Sequence, residues 1–280
     1  MSGTARTTRL AGAVVLVIAL AAVVIVRHFP LSPSSHSSRT APDAGAGRQF
    51  GTLPPGAQLP SGAQCARWVL ASPSPENRPE NKTFNQTTGQ RVGPGFFPAG
   101  DSPQVAKLAS RINGDFTGTT EEILRWAACK WGISQDIVFA QAAVESWWRQ
   151  TNLGDWGTQA QFCPPGYGLG VDGQPGKCPQ SYGILQVRYP YQEASWPGIA
   201  TSTAMNVDVA YAIWRSCYDG YEIWLNNEPR GQQYRAGDLW GCVGRWYAGS
   251  WHTSAANQYI SVVQQYLSER VWEQPDFNQA

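Results

Sequence analysis

Glu145 is the residue on which chemistry is most readily built. Val138, Gln141, Ala142 and Trp148 stand three, four or seven positions from it, so a helix through this stretch puts all of them on its side. A carboxyl among apolar neighbours is desolvated. Desolvation disfavours its ionised form, and the raised pKa that follows is what a general acid near neutral pH requires. The spacing equally fits an exposed ion pair, because Arg149 stands at i+4. Ser146 is set aside as a nucleophile: there is no GxSxG elbow, and His252 is the sole imidazole of the C-terminal half. His28 and His36 lie far N-terminal, which also argues against a histidine-rich metal site, and His252 itself reads as a surface residue. All of the 13 tryptophans except Trp68 fall between Trp126 and Trp272. Most are expected in a core; Trp148, Trp156, Trp246 and Trp251 are the candidates for a sugar-binding groove.

The elements that must hold these groups are mainly helical. Thr119-Thr-Glu-Glu122 has the form of a capping box, with Ile123, Leu124, Ala127, Ala128 and Trp131 at helical spacing and Gly132 as a stop. Ser134 can cap a second helix from Gln135 to about Gln150, which carries Glu145. A third is expected from Ser202 or Thr203 to Gly220, a fourth from Asp238 to about Tyr247, and a fifth from Ser254 to about Trp272. A Gly/Pro-rich loop separates the second from the third, and the small β element expected in this mainly α fold falls near Ser181 to Val187.

Three segments in order carry a family resemblance: Glu145-Ser146 on an alanine-rich helix, Ser181-Tyr-Gly-Ile-Leu-Gln-Val187, and Arg245-Trp-Tyr-Ala-Gly249. Over roughly residues 115 to 272 the chain resembles the soluble lytic transglycosylase branch of the lysozyme-like superfamily, which also includes goose-type lysozymes. The third segment departs from the family's Ala-Tyr-Asn-Ala-Gly, with Trp246 and Tyr247 in place of Tyr and Asn. The resemblance implies an α+β lysozyme-like fold and cleavage of peptidoglycan between N-acetylmuramic acid and N-acetylglucosamine. It implies Glu145 as acid and then base, Ser181, Gly183 and Gln186 lining the sugar groove, and Tyr247 contacting the sugar or orienting Glu145; Tyr182, Trp246 and Trp148 are further candidates to bind the sugar. In the transglycosylase branch the muramic O6 attacks the anomeric carbon, so one carboxyl suffices. An inverting hydrolase needs a second carboxylate, for which Asp155 and Asp172 are the nearest later candidates. No cofactor or metal is implied. Two further readings stand beside the enzyme: a wall-glycan binding module without turnover, and an interaction protein that displays the long loop.

Cys65, Cys129, Cys163, Cys178, Cys217 and Cys242 are even in number and suit an oxidising compartment. The short loop-like interval favours Cys163 with Cys178; Cys65 with Cys129 and Cys217 with Cys242 are the expected remainder. Leu10 to Val26 is an apolar run of 17 residues flanked by Arg6, Arg9, Arg27 and His28, at the low end of the roughly 17 to 25 that span a bilayer. It reads as an uncleaved signal anchor within residues 1 to 28, with the bulk of the protein outside the cytoplasm; a cleaved signal is the alternative. Residues 29 to 64 read as a flexible Pro/Ser/Gly linker, and 65 to 111 as an irregular extension packed on a domain of residues 112 to 280. Phe84, Phe96 and Phe97 are candidates to pin that extension, while Asn81-Lys-Thr83 and Asn85-Gln-Thr87 match glycosylation acceptors by chance.

With 280 residues, 42% of them hydrophobic, the chain can bury a sizeable core and is not disordered throughout. Residues 1 to 111 carry 11 basic against 4 acidic groups and the remainder 10 against 16. The acidic C-terminal part argues against nucleic acid as a partner.

Overall fold

Side-chain caps mark where several of the helices begin, though Ser134 makes no cap bond at the helix that follows it. The computed structural model describes residues 48–93, 95–227 and 233–278. Helix α1, Gly62–Leu70, starts where Ser61 accepts a hydrogen bond from the Gln64 amide, and short helices α2, Lys82–Asn85, and α3, Val105–Ala109, follow in the extension. Thr119 and Glu122 form the reciprocal capping box of α4, Thr120–Trp131, which ends on left-handed Gly132. Helix α5 covers Gln135–Ser146. Strands β1, Leu153–Gly154, β2, Ser181–Tyr182, and β3, Val187–Arg188, make one antiparallel sheet in that order. Helices α6, Gly198–Thr201, α7, Thr203–Tyr218, α8, Leu239–Ala248, and α9, Ser254–Glu269, complete the mainly helical architecture. Ser202, Asp238 and Thr253 cap the last three.

The packing follows the apolar faces: α7 lies against α4, and α9 against both α5 and α8. Trp126, Trp131 and Trp148 are fully buried between these layers. Three disulfides join Cys65 to Cys129, Cys163 to Cys178 and Cys217 to Cys242, the expected pairs, of which spacing favoured the second. They tie α1 to α4, close the Gly/Pro-rich loop and tie α7 to α8.

Two boundaries differ from expectation. Helix α5 stops at Ser146 rather than near Gln150, because Trp147 and Trp148 both adopt left-handed backbone, at φ 54° and 62°. That conformation is costly for bulky residues. It is held by the extension: Arg78 Nε donates to the Trp147 carbonyl (2.7 Å), Asn81 Nδ2 to the Trp148 carbonyl (2.7 Å), and the Gln150 amide donates to Asn81 Oδ1 (2.8 Å). Asn81 and Asn85 are accordingly buried, not displayed for glycosylation. Helix α9 likewise ends at Glu269, with Arg270 left-handed, short of Trp272.

The linker expectation is corrected for residues 48 to 64. Phe50 is buried, its carbonyl accepts from the Gln135 amide (3.0 Å), and the Leu53 amide donates to the Gly132 carbonyl (3.0 Å). Arg215, buried on α7, donates to the carbonyls of Leu53 (3.1 Å) and Pro54 (2.7 Å). A few apolar anchors and one buried guanidinium thus order a segment whose average composition reads as flexible. Residues 29 to 47 and the Leu10 to Val26 run lie outside the described residues. Among the described residues no helix is long and apolar enough to cross a membrane.

Candidate active site

Glu145 sits on the last turn of α5, half-buried, where α8, α9 and the small sheet converge. Burial is the largest influence on its carboxyl and raises the pKa to about 7. Tyr259 of α9 donates its hydroxyl to Glu145 Oε1 and opposes that rise; the negative charge of Asp155 adds to it, and a hydrogen bond from Trp246 of α8 opposes it again. Arg149 plays no part. The left-handed residues carry it off the helix, and it pairs with Glu80 at 3.6 Å, so the i,i+4 ion pair that spacing allowed does not form.

A turn between β2 and β3 supplies the floor beside this carboxyl. Ser146 links it to the helix end, donating to the Ile184 carbonyl (2.8 Å) and accepting from the Arg149 amide (3.0 Å). Ser146 is therefore a brace. Two buried amides complete the frame: Gln150 Oε1 accepts from the Ile184 amide (3.1 Å), and Asn206 of α7 accepts from the Leu185 amide (3.0 Å) while donating to the Tyr182 carbonyl (2.7 Å). Gly183 turns the chain at φ 79°, with Asn206 and Gln150 where a Cβ would stand. Gln186, left-handed and half-buried, donates to the carbonyls of Gly183 (2.8 Å) and Asn152 (3.2 Å).

Several residues assigned to the sugar prove to build the site instead. Trp148 is a correction: wholly buried, it packs on Phe139 and Phe277 and donates to the Phe139 carbonyl (2.9 Å). Tyr182 is another, buried against Tyr167 and Trp196 with its hydroxyl on the Pro179 carbonyl (2.7 Å). Gly183 is enclosed, and Ser181 is buried with its hydroxyl donated to Asp155. Trp251 is buried edge-on to Tyr234, and neighbouring His252 bonds Asp238 (2.7 Å) at the surface. For Trp148 the helical phase read from sequence was lost at the left-handed Trp147 and Trp148.

Tyr247, Trp246 and Asp155 keep a place near the carboxyl. Tyr247 is 64% exposed and stacks in parallel on Tyr259, ring centroids 5.0 Å apart. Trp246 is half-buried beside the carboxyl; Trp156, on the stretch after β1, is half-buried too, and nothing ties it to Glu145. Asp155 is exposed, accepts from Ser181 and lies 3.7 Å from Arg188 Nε. Asp172 does not join it: its charge bears on the phenols of Tyr167 and Tyr182. Arg245, which opens the third motif, points to Glu222 (2.5 Å) and fastens α8 to the chain after α7.

Tyr259 and Tyr211, which join Gln141 in a network around Glu145, have no place in the sequence reading. Tyr259 stands in SAANQYISVV, a pattern that cannot be told from an ordinary core contact. The polar Gln141 one turn before Glu145 on an otherwise apolar face was the available signal. A separate concavity lined by Glu76, Lys82, Asn85 and Glu122 has its carboxylates already taken by the backbone amides of Arg78, Thr120, Ser74 and Thr119.

The chain matches no family model, no curated protein and no solved structure in comparison.

Proposed function

We propose that this protein is a peptidoglycan lytic transglycosylase with a lysozyme-like fold, which cleaves the N-acetylmuramic acid to N-acetylglucosamine bond with Glu145 as its single acid and base. The observation that carries the reading is a half-buried carboxyl with a pKa of about 7, held by Tyr259 beside an exposed tyrosine face. At neutral pH such a group is present in both forms. Its protonated form gives its proton to the departing glycosidic oxygen. The carboxylate left behind then takes the proton of the muramic O6 hydroxyl as that oxygen bonds to the anomeric carbon, which restores the acid and leaves a 1,6-anhydro end. Tyr247 and Trp246 offer aromatic surface to the sugar rings.

One observation favours a second reading, an inverting hydrolase. Asp155 is exposed, fixed by Ser181 and close enough to raise the Glu145 pKa, and could accept a proton from an attacking water. Mass spectrometry of products released from purified wall separates the two, since anhydro ends require transglycosylation and reducing ends hydrolysis. Glu145→Gln is expected to lower muropeptide release by about 100-fold or more with glycan binding retained; continued cleavage overturns the assignment. The reading includes an N-terminal anchor at residues 10 to 26 that holds the domain outside the cytoplasm, against the wall; fractionation of the full chain with membranes tests it.

A further inference from the structure

Beneath Glu145 lies a buried polar chain that crosses three helices. Tyr211 of α7 (1% exposed) places its hydroxyl 3.5 Å from Gln141 Oε1 and 3.4 Å from the Val138 carbonyl. Gln141 of α5 (3% exposed) hydrogen-bonds through its side chain to Tyr259 of α9 (6% exposed), and Tyr259 donates to Glu145 Oε1. An amide has one accepting and one donating end. With its oxygen toward the Tyr211 hydroxyl, Gln141 offers N–H to the Tyr259 oxygen. That contact occupies the phenol as an acceptor and leaves its proton for Glu145. Without it, a neutral Glu145 could instead give its own proton to Tyr259, and the acid would point into the core. A buried amide costs stability unless it is paired, so Gln141 on this apolar face is explained by the order it imposes.

We propose that Gln141 is a positioning residue that acts through Tyr259: its amide fixes the Tyr259 hydroxyl as a donor to Glu145 Oε1 and so keeps the transferable proton on the other carboxyl oxygen. The catalytic consequence rests on the acid and base role proposed for Glu145; the order of the hydrogen bonds does not. The groups that face the carboxyl are Tyr259 from α9, Tyr211 from α7, Trp246 from α8 and Asp155 from the stretch after β1. Of these, Tyr259 hydrogen-bonds to Gln141 and Glu145 alike.

The test uses the full chain with 13C-labelled glutamate, the Glu145 signal being assigned by its loss in Glu145→Gln. Gln141→Met conserves volume and removes the amide. The Glu145 titration midpoint is expected to rise by about 0.5 or more, because the neutral acid gains the freed Tyr259 oxygen as an acceptor for its own proton. Tyr259→Phe is expected to raise it at least as far, and the double variant no further than Tyr259→Phe alone. Tyr211→Phe, which frees the amide to flip, is expected to shift it in the same direction by less. An unchanged midpoint in Gln141→Met, or an equal shift when Tyr259 is already absent, overturns the proposal. If Gln141→Met loses its cooperative melt, an unchanged midpoint in Tyr211→Phe overturns it instead. These readouts need no turnover, so a wild-type chain inert on cell wall would overturn the proposed function while the titrations still decide the role of Gln141.

Discussion

Glu145 shows how a side chain acquires a chemical property from its surroundings rather than its type. Burial disfavours the carboxylate by more than Tyr259 and Trp246 restore, and the outcome is a pKa of about 7. Because the folded pKa lies above that of an unfolded glutamate, the native state binds the extra proton between about pH 4.5 and 7. The associated stability is fully present below the unfolded value and is lost as pH rises through 7. The wild type is therefore expected to lose on the order of 1 to 3 kcal/mol between pH 5 and 8 that Glu145→Gln does not lose, measured by denaturant unfolding at both pH values. Equal losses in the two proteins would mean that the carboxyl titrates as though solvated. Under the proposed function, the same pKa implies that release of products from purified wall declines above pH 7, as the acid form empties.

At the scale of elements, the site depends on where helices and strands stop. Helix α5 delivers Glu145 to the sheet only because Trp147 and Trp148 reverse the chain, and Arg78 and Asn81 of the extension hold that reversal. The turn from β2 to β3 is equally constrained. Gly183→Ala would put a Cβ into Asn206 and Gln150 at a left-handed position, and is expected to destabilise the fold by about 1 to 3 kcal/mol. Under the proposed function it should also lower turnover, by shifting the Ile184 carbonyl that Ser146 holds. Thermal melts and initial rates of the purified variant check both parts; wild-type values would show that the turn yields freely. The extension is thus legible as a packed appendage from its phenylalanines, but its service to the helix end was not, because hydrogen bonds between residues some seventy apart leave no local pattern.

For the molecule as a whole, order begins earlier than composition suggests. Residues 48 to 64 lie across α4, α5 and α7, and Arg215 bonds their carbonyls. Phe50→Ala is expected to cost about 3 kcal/mol, near the lower limit for truncating a buried aromatic, and to make this segment the first cleaved in limited proteolysis. An unaltered melting temperature would show that the segment is an ornament on the fold. Reduction of the disulfides is expected to lower the melting temperature through loss of the Cys65 to Cys129 and Cys217 to Cys242 ties between helices, scanned with and without dithiothreitol.

The amino-acid sequence by itself determined the helix starts at Thr119, Ser202 and Asp238 and the small sheet near Ser181, and it favoured the short Cys163 to Cys178 pair. Caps, periodicity and cysteine spacing are local, and local interactions are written in short windows of sequence. It also marked Glu145 as a residue worth attention, while leaving open whether it paired with Arg149. Only the tertiary structure decided that question, because the pairing turned on two left-handed tryptophans whose cost is met by a distant arginine and asparagine. It likewise moved Trp148, Tyr182 and Gly183 from the expected sugar groove into the frame beneath it and brought Tyr259 to the carboxyl from 114 positions away. Burial and long-range hydrogen bonds depend on which surfaces meet, and that is settled when the helices pack.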